Sequence, residues 1–427
     1  MNELWLAPQH GTALDAQVAI PGSKSLTNRW LVLAALASGP SHIHKPLKAR
    51  DTLLMADALT SLGTAIEDTD TGWLVTPGPL FGPAQVDCGL AGTVMRFVPP
   101  VAALANGDIR FDGDPHARVR PMQNIISSLR GLNVVVHDDG RGTLPFTVQG
   151  TGHVTGADIE LDASASSQFV SALLLAGSRY DGGLTIRHRG GLLPSLPHID
   201  MSIEVLAQVG IRVDVDISDS HNATWVVHPG IPQPFSVTVE PDLSNAAAFL
   251  AAALVCGGSV TIPDWPEHTT QAGDHLRWIL RDMGATITQA PHSLTATGTG
   301  TIHGIDADLH NVGELTPVIA ALAALADSPS HLHGIAHLRG HETDRLHALA
   351  TQINKLGGQV SQTDDGLIIT PQPLHGGTFE TYDDHRMAMA AVVIGLRVAD
   401  VKIENIHTTA KTLPQFADMW LALVTNE

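Results

Sequence analysis

An internal repeat constrains the fold of this chain more than any other feature. The segment LAALASGPSHIH (33–44) returns as LAALADSPSHLH (322–333), and each copy leads into a second helical pattern. Six times, a polar or glycine-containing segment precedes an Ala/Leu/Val-rich run of helical length, with starts near residues 24, 92, 167, 244, 315 and 385. Self-similarity at a regular spacing indicates an architecture built from repeated supersecondary units.

Each repeat predicts two helices and four strands. After the apolar run comes a strand-like stretch such as GGSVTI or GGLTIRH, then a second helix, then alternating strands. The second helix usually closes on a glycine, as in LRGLN, LAQVGIRV, LRDMGATI and KLGGQV, which predicts a left-handed C-cap. The first helices are nearly all apolar, so they should be buried on most sides. The predicted class is therefore α/β, with six βαβαββ units forming two domains of three.

Two chain crossovers are predicted between these domains. Pro21-Gly22 and Val239-Glu240-Pro241 resemble paired connections. If both are crossovers, residues 1–22 join 240–427 in one discontinuous domain, and 23–239 form the other. We expect the active site in the cleft between them.

Composition excludes several functional classes. The 427 residues exceed one ordinary core, and a hydrophobic fraction of 44% excludes a disordered chain. A net charge of −19 argues against nucleic-acid and acidic-membrane partners. The two cysteines exclude a disulfide framework and fit a reducing compartment. With no basic, apolar leader and no apolar run of bilayer length, we expect a cytoplasmic protein, and because nothing marks an oligomer interface we expect a monomer.

The few cations cluster where helices are predicted to begin. The chain has six lysines and eighteen arginines, and a helix N-terminus is itself favourable for anions. Taken singly, these residues have ordinary explanations as helix caps or structural ion pairs. Together they predict a shared polyanion site, formed by Lys24, Ser25, Arg29, Arg118, Arg120, Ser166, Ser167, Gln168, Glu342, Asp344, Arg345, Asp383, Asp384, His385, Arg386 and Lys411.

Seven motifs identify a family resemblance. The chain contains, in order, PGSKSLTNR, LAGTVMRF, RVRP, SSQF, HETDR, DDHRMAM and AKTLP. With these motifs it resembles the 5-enolpyruvylshikimate-3-phosphate synthase family over essentially its whole length. The resemblance implies an inside-out α/β barrel in each domain and transfer of the enolpyruvyl group of phosphoenolpyruvate to the 5-hydroxyl of shikimate 3-phosphate, a step of aromatic amino acid (chorismate) biosynthesis. It implies no metal and no organic cofactor.

The resemblance also implies a role for each motif residue. Three are implied to be catalytic: Lys24, Glu314 and Glu342. The implied phosphoenolpyruvate ligands are Lys24, Gly92, Arg120, Gln168, Arg345, Arg386 and Lys411. The implied shikimate 3-phosphate ligands are Lys24, Ser25, Arg29, Ser166, Ser167, Gln168, Ser195, Glu314 and His341. Glyphosate is implied to compete with phosphoenolpyruvate in the space beside Gly92.

Four positions depart from the common family pattern. Glu314 stands where an Asp is usual, which keeps the carboxylate and adds one methylene. His341 stands for a Lys, Leu90 for an Asn, and His198 for a Tyr. We interpret all four as variation within the same activity.

Three other functions are alternatives to the enolpyruvyl transfer that the resemblance implies. A UDP-N-acetylglucosamine enolpyruvyl transferase would typically carry a cysteine on the loop 113–121, which has none. The second alternative is a non-catalytic paralogue that binds anions and retains the same motifs. A metal site is not expected, because there is no HExxH and the HIH and HLH pairs occupy equivalent positions in different repeats.

Overall fold

A computed structural model describes residues 4–425 of the chain. Twelve α-helices occur in this part: α1 (Lys24–Leu36), α2 (Arg50–Ser61), α3 (Gly92–Ala102), α4 (Gln123–Gly131), α5 (Gln168–Gly177), α6 (Leu196–Gln208), α7 (Ala246–Cys256), α8 (Leu276–Asp282), α9 (Thr316–Ala324), α10 (Arg345–Lys355), α11 (His385–Gly395) and α12 (Phe416–Thr425). Four short 3₁₀ helices lie at Ala272–His275, Gly313–Leu315, Ala336–Gly340 and Ile406–Lys411.

The same residues contain twenty-three strands. They are β1 (Leu4–Leu6), β2 (Leu14–Gln17), β3 (Ser41–His44), β4 (Ala65–Thr69), β5 (Gly72–Thr76), β6 (Ala84–Asp87), β7 (Asn106–Asp112), β8 (Val135–His137), β9 (Phe146–Thr151), β10 (Asp158–Leu161), β11 (Leu184–His188), β12 (Val213–Asp216), β13 (Thr224–Val227), β14 (Ser236–Thr238), β15 (Gly258–Pro263), β16 (Thr286–Ala290), β17 (Ser293–Gly298), β18 (Asp306–Asp308), β19 (Ser330–His333), β20 (Gln359–Gln362), β21 (Leu367–Thr370), β22 (Gly377–Phe379) and β23 (Val401–Glu404).

The chain divides into two compact units. One consists of Met1–Pro21 with Glu240–Glu427, and the other of Gly22–Val239. The sequence assigned Gly22 to the discontinuous domain, whereas this division assigns it to the Gly22–Val239 unit. Each unit has its own buried apolar cluster, because each contains three apolar helices that must be covered separately.

The Gly22–Val239 unit is built from three repeats around α1, α3 and α5. These helices contact one another, and their faces are buried almost throughout. Each repeat adds a four-stranded sheet, in the orders β14-β3-β5-β4, β6-β7-β9-β8 and β10-β11-β13-β12. The first two strands of each sheet are parallel and the other pairings antiparallel. Strand β14 completes the first sheet from the far end of the unit, which explains how a repeat beginning at α1 obtains its leading strand.

The second unit repeats the arrangement around α7, α9 and α11. Its sheets have the orders β16-β17-β15-β2, β18-β19-β21-β20 and β1-β23-β22. The last sheet has three strands, because after β23 the chain forms α12 in place of a further strand. The third strand, β1, comes from the N-terminal segment of the unit. The predicted α/β class with repeated βαβαββ units is confirmed, and this sixth unit is the one that departs from the pattern.

Three of the four predicted glycine caps occur. Gly210, Gly284 and Gly357 follow α6, α8 and α10 with positive φ. The prediction for LRGLN was wrong in its residue, because the left-handed position there is Asn133 (φ 61°). Asparagine tolerates this conformation better than most side chains. Among residues 4–425, no helix combines the length and apolarity that a membrane span requires.

Candidate active site

Residues predicted for the site lie at the starts of α1, α3 and α5 in the Gly22–Val239 unit. Ser23 begins α1 by accepting a hydrogen bond from the Leu26 amide. Asn28 Nδ2 donates to Thr93 Oγ1 at 2.7 Å, which ties the first turns of α1 and α3 together. The helices are held at their N-terminal ends, where free amide groups favour an anion.

A pair of guanidinium groups lies beside Gly92. Arg96 Nη1 donates to the Gly92 carbonyl at 3.2 Å and to Gln168 Oε1 at 3.1 Å. Arg120 donates to the Leu90 carbonyl. A Cβ added to Gly92 would lie 2.7 Å from Arg96 Nη1 and 3.2 Å from Arg120 Nη1. The absence of a side chain at Gly92 therefore leaves open the surface that both cations face.

The electrostatics of this pair favour an anionic ligand. Arg96 is 4% exposed, and burial together with the charge of Arg120 holds its pKa well below the usual value. Its Nε atom is buried without a hydrogen-bond partner among the described residues. Two guanidinium groups beside Gly92, in a chain of net charge −19, suit an anionic ligand such as a phosphate or a carboxylate.

Lys24 is the first residue of α1. Its Nζ lies 3.3 Å from Oδ2 of Asp51, whose side chain is 3% exposed, while that of Lys24 is 20% exposed. The buried carboxylate holds the ammonium group in place at the start of α1.

Arg29 is held mainly by the protein itself. Its guanidinium donates to Ser202 Oγ at 2.8 Å and to the carbonyls of His198 at 2.7 Å and Ser25 at 2.9 Å. A longer bond reaches Ser171 Oγ. Burial lowers the pKa of Arg29 to about 9. Most of its donors are occupied, so this arrangement favours positioning α6 and Ser25 over direct ligand binding.

The remaining predicted residues of this unit lie at two further helix starts. Ser166 Oγ accepts a hydrogen bond from the backbone N–H of Gln168. Ser167, the residue before α5, is buried. Ser195 precedes α6 in a left-handed conformation, φ 55°. His198 contributes its carbonyl to the Arg29 network, a role that does not depend on the ring that replaces the usual tyrosine.

In the second unit, Glu342 contacts a lysine and a histidine. Its Oε1 lies 2.6 Å from Lys411 Nζ and its Oε2 3.2 Å from His385 Nδ1. Burial would raise the pKa of Glu342, but the charges of Lys411, His385 and Arg345 outweigh it and hold the pKa well below the usual range. Burial lowers the pKa of His385 to about 4. Glu342 is therefore an ionised carboxylate at neutral pH.

Arg345 and Asp384 form a buried bidentate pair beside this group. Arg345 Nε and Nη2 donate to Asp384 at 2.7 and 3.1 Å, and neither side chain is more than 4% exposed. Burial opposes the charged form, but Asp384 outweighs it and raises the pKa of Arg345. Asp384 also caps α11, accepting from the Arg386 amide. His341 lies 3.4 Å from Arg345 through Nδ1.

Arg386 connects this cluster to Glu314. Arg386 Nη1 donates to the Ser244 carbonyl at 2.7 Å, and Ser244 Oγ lies 3.5 Å from Glu314 Oε1. Burial lowers the pKa of Arg386, and the charge of Asp242 partly offsets this lowering. His337 lies against Gly313, the neighbour of Glu314, and its buried Nε2 has no hydrogen-bond partner among the described residues.

The sequence assigned no role to Arg96, Asp51 and His337, and it did not indicate the partners of Asp384 and His385. Arg96 lies one helical turn after Gly92 in LAGTVMRF, a spacing that could have indicated a shared ligand. Asp384 and His385 stand in DDHRMAM, but their partners, Arg345 and Glu342, come from another repeat. Asp51 and His337 carry no motif signal.

Each unit thus gathers its own set of predicted residues. In the Gly22–Val239 unit, Arg96 contacts Gly92 and Gln168 and lies close to Arg120. Arg29 separately contacts Ser25. In the other unit, Glu342 contacts Lys411 and His385. Asp384 contacts Arg345 and the backbone N–H of Arg386, and the Arg386 side chain contacts Ser244.

Comparison with known proteins identifies the family of the chain. The family model for EPSP synthase (3-phosphoshikimate 1-carboxyvinyltransferase) matches residues 8–420. The chain belongs to the EPSP synthase family. Relatives named 3-phosphoshikimate 1-carboxyvinyltransferase include one from Kocuria rhizophila, 54% identical, covering 100% of this chain and 98% of the relative. Another, from Mycobacterium ulcerans, is 51% identical over 99% of this chain and 98% of its own length.

Solved structures of the EPSP synthase family and its neighbours share the fold. An EPSP synthase from Acinetobacter baumannii matches with TM-score 0.79 and 26% identity, covering 97% of this chain and 96% of that one. A second structure of EPSP synthase from this organism gives TM-score 0.77 at 25% identity, with the same coverage. The enolpyruvyl transferase NikO from Streptomyces tendae matches in fold alone, at TM-score 0.74 and 18% identity, also over 97% and 96%.

The cysteines do not favour the UDP-N-acetylglucosamine alternative. Cys88 packs near Gly113 of the loop 113–121, but it is fully buried and burial raises the pKa of its thiol. Burial also raises the pKa of Cys256 to about 11. Neither thiol is suited to donate a proton near neutral pH.

Proposed function

We propose that this protein transfers the enolpyruvyl group of phosphoenolpyruvate to the 5-hydroxyl of shikimate 3-phosphate and releases phosphate. The observation that carries the proposal is the pair of guanidinium groups, Arg96 and Arg120, facing the open side of Gly92. It is supported by membership of the EPSP synthase family over residues 8–420. Both substrates are small polyanions, which fits helix starts that concentrate cations in an acidic chain.

The residues divide into binding and proton-transfer groups. In our proposal, Arg120, Gln168, Arg345, Arg386 and Lys411 bind phosphoenolpyruvate beside Gly92, with Arg96 as an added ligand. Lys24, Ser25, Ser166, Ser167, Ser195, Glu314 and His341 bind shikimate 3-phosphate, while Arg29 positions Ser25. These two sets include residues of both units.

The addition step requires one proton removed and one supplied. The oxygen of the 5-hydroxyl bonds to the second carbon of phosphoenolpyruvate while Glu314 takes the hydroxyl proton. The methylene carbon takes a proton, for which Lys24 is the proposed donor, because its ammonium group is held by Asp51 and its side chain is 20% exposed. The product is a tetrahedral intermediate that carries a methyl group.

Elimination reverses the change at the methyl carbon. Glu342 takes one methyl proton, the carbon–carbon double bond forms again, and the carbon–oxygen bond to phosphate breaks. A carboxylate whose pKa is held low by Lys411 and His385 is present in the form that accepts a proton. The cations around the departing phosphate stabilise the charge it carries.

The test is a phosphate-release assay on purified protein. With both substrates present, inorganic phosphate and the enolpyruvyl ether of shikimate 3-phosphate should form in equal amounts. With either substrate alone, neither should form. Absence of product from folded protein with saturating substrates would leave the non-catalytic anion-binding alternative.

A further inference from the structure

We propose a transition-metal site, of the kind that binds Zn²⁺, formed by Asp306, His331 and His333. One ligand atom from each residue lies within 4.8 Å of the other two. The site is on the β18–β19 pair, and none of its residues belongs to the groups described above. The expectation of no metal rested on the absence of an HExxH motif and on the positions of the HIH and HLH pairs, and it did not include a third ligand from the neighbouring strand.

Strand geometry brings the three side chains to one face. Successive side chains of a strand point to opposite faces. In β19, Ser330 and Leu332 are buried, so the two histidines lie on the solvent side. Strand β18 runs parallel to β19 with Asp306 opposite His331.

The distances fit a tetrahedral ion better than direct hydrogen bonds. Asp306 Oδ1 lies 3.3 Å from His331 Nδ1 and 3.4 Å from His333 Nε2. Ligands at about 2.0–2.1 Å from a tetrahedral zinc ion are about 3.3–3.4 Å from one another. An ordinary N–H···O bond spans about 2.7–3.2 Å, so both contacts are long for one.

The ligand types select a class of ion. Two imidazoles and one carboxylate suit Zn²⁺ and related transition metals, whereas Mg²⁺ and Ca²⁺ prefer oxygen ligands. The Asp306 side chain is 75% exposed and those of His331 and His333 are 42% and 34% exposed. An ion held by three protein ligands there would keep water in its fourth position.

The equivalent pair in the other unit provides an internal contrast. His42 and His44 lie on β3, and Ser236 of β14 stands opposite His42, where the second copy has Asp306. Both ring nitrogens of His44 already meet hydroxyls, Thr71 Oγ1 at 2.7 Å and Ser236 Oγ at 3.1 Å. This copy of the repeat has no carboxylate in the corresponding position.

A second group of possible ligands, Glu342, Asp384 and His385, is less suited to a cation. Lys411 contacts Glu342 at 2.6 Å, and Arg345 contacts Asp384 at 2.7 Å. These positive charges would repel a divalent ion. Among residues 4–425, no Lys or Arg forms an ion pair with Asp306, His331 or His333.

The test measures zinc binding by untagged, metal-free protein with ZnCl₂ alone, by titration calorimetry. The Asp306→Ser variant, which copies the other repeat, and the His331→Ala variant should each bind zinc at least about 10-fold more weakly at one site, or lose it, since loss of even an outer-shell partner often costs about 10–100-fold. The matched control, His42→Ala, should bind as the parent does. Thermal denaturation checks that each variant is folded.

Crystals soaked in one equivalent of zinc give a second readout. An anomalous peak between Asp306, His331 and His333 is expected in the parent and not in Asp306→Ser. Equal affinity and stoichiometry in the parent, Asp306→Ser and His331→Ala would overturn the proposal, as would a peak only at other histidines. Neither measurement depends on the proposed transferase activity.

Discussion

Lys411 Nζ lies 2.6 Å from Glu342 Oε1, with the two side chains 6% and 11% exposed. The two residues are far apart in sequence, and HETDR and AKTLP are separate motifs. The charge of Lys411 helps to hold the pKa of Glu342 well below its usual range, although burial alone would raise it. Because an unpaired buried charge is costly, each residue's effect on activity must be separated from its effect on folding.

We expect Glu342→Gln to lower kcat by about 100-fold or more, because an amide of similar size cannot accept the methyl proton. The control is Glu380→Gln, which breaks the exposed pair with Lys355 and should change kcat little. Turnover by phosphate release and melting temperature are measured together. A Glu342→Gln enzyme with more than about a tenth of parental turnover would remove this residue from proton transfer.

Glu314→Gln tests the second carboxylate. Removal of the base for the 5-hydroxyl should abolish most turnover, again by about 100-fold or more, while calorimetric binding of shikimate 3-phosphate stays nearly intact. If Glu314 only stabilises the start of its helix, the variant should lose at most about 1 kcal/mol of stability and keep near-normal turnover.

Gly92→Ala should reduce sensitivity to glyphosate by orders of magnitude and raise KM for phosphoenolpyruvate. Its new Cβ would be 2.7 Å from Arg96 Nη1, so the guanidinium groups must shift from the surface they present. Gly11→Ala is the matched control, because a Cβ there meets nothing within 4 Å. Unchanged inhibition in Gly92→Ala would show that glyphosate binds elsewhere.

Ser25→Ala and Arg29→Met should separate binding from structure. Ser25→Ala is expected to raise KM for shikimate 3-phosphate with little change in melting temperature. In Arg29→Met, Ser202 Oγ loses its guanidinium donor while the His198 carbonyl keeps the Ser171 and Ser202 hydroxyl donors at 3.1 Å, which should cost roughly 1–3 kcal/mol of stability. A stable Arg29→Met protein with a large KM effect would instead make Arg29 a direct ligand.

His337 should make stability depend on pH. Burial, with the charge of His310, lowers the pKa of His337 to about 4, below the usual 6.5. Between these values the unfolded chain binds a proton that the folded protein does not, so this contribution to stability falls as pH falls. Between pH 7 and 5 the loss is on the order of 1–2 kcal/mol.

Urea unfolding at several pH values measures this effect. His337→Asn should lose less stability than the parent between pH 7 and 5, whatever its stability at pH 7. Exposed His375→Asn serves as the control and should follow the parent. Parallel profiles for the parent and His337→Asn would contradict the assignment.

The repeat could be predicted because its signals are local. The apolar runs beginning near residues 24, 92, 167, 244, 315 and 385 match the starts of α1, α3, α5, α7, α9 and α11 within about two residues. Helical periodicity and capping residues depend on neighbours within a few positions, so they can be recognised in the sequence. The three-stranded sixth sheet could not be predicted, because its third strand, β1, is separated in sequence from β22 and β23 by hundreds of residues.

The sequence by itself determined which residue types stand at each helix start, and through its motifs it determined the family. Tertiary structure alone decided their partners: Arg345 with Asp384, Glu342 with Lys411, and Arg96 with Gln168. It also decided that one HxH pair faces an aspartate and the other a serine. The physical reason is that a side chain's charge and reach belong to its own residue, whereas its neighbours, and hence its pKa and role, arise only when strands and helices distant in the chain pack together.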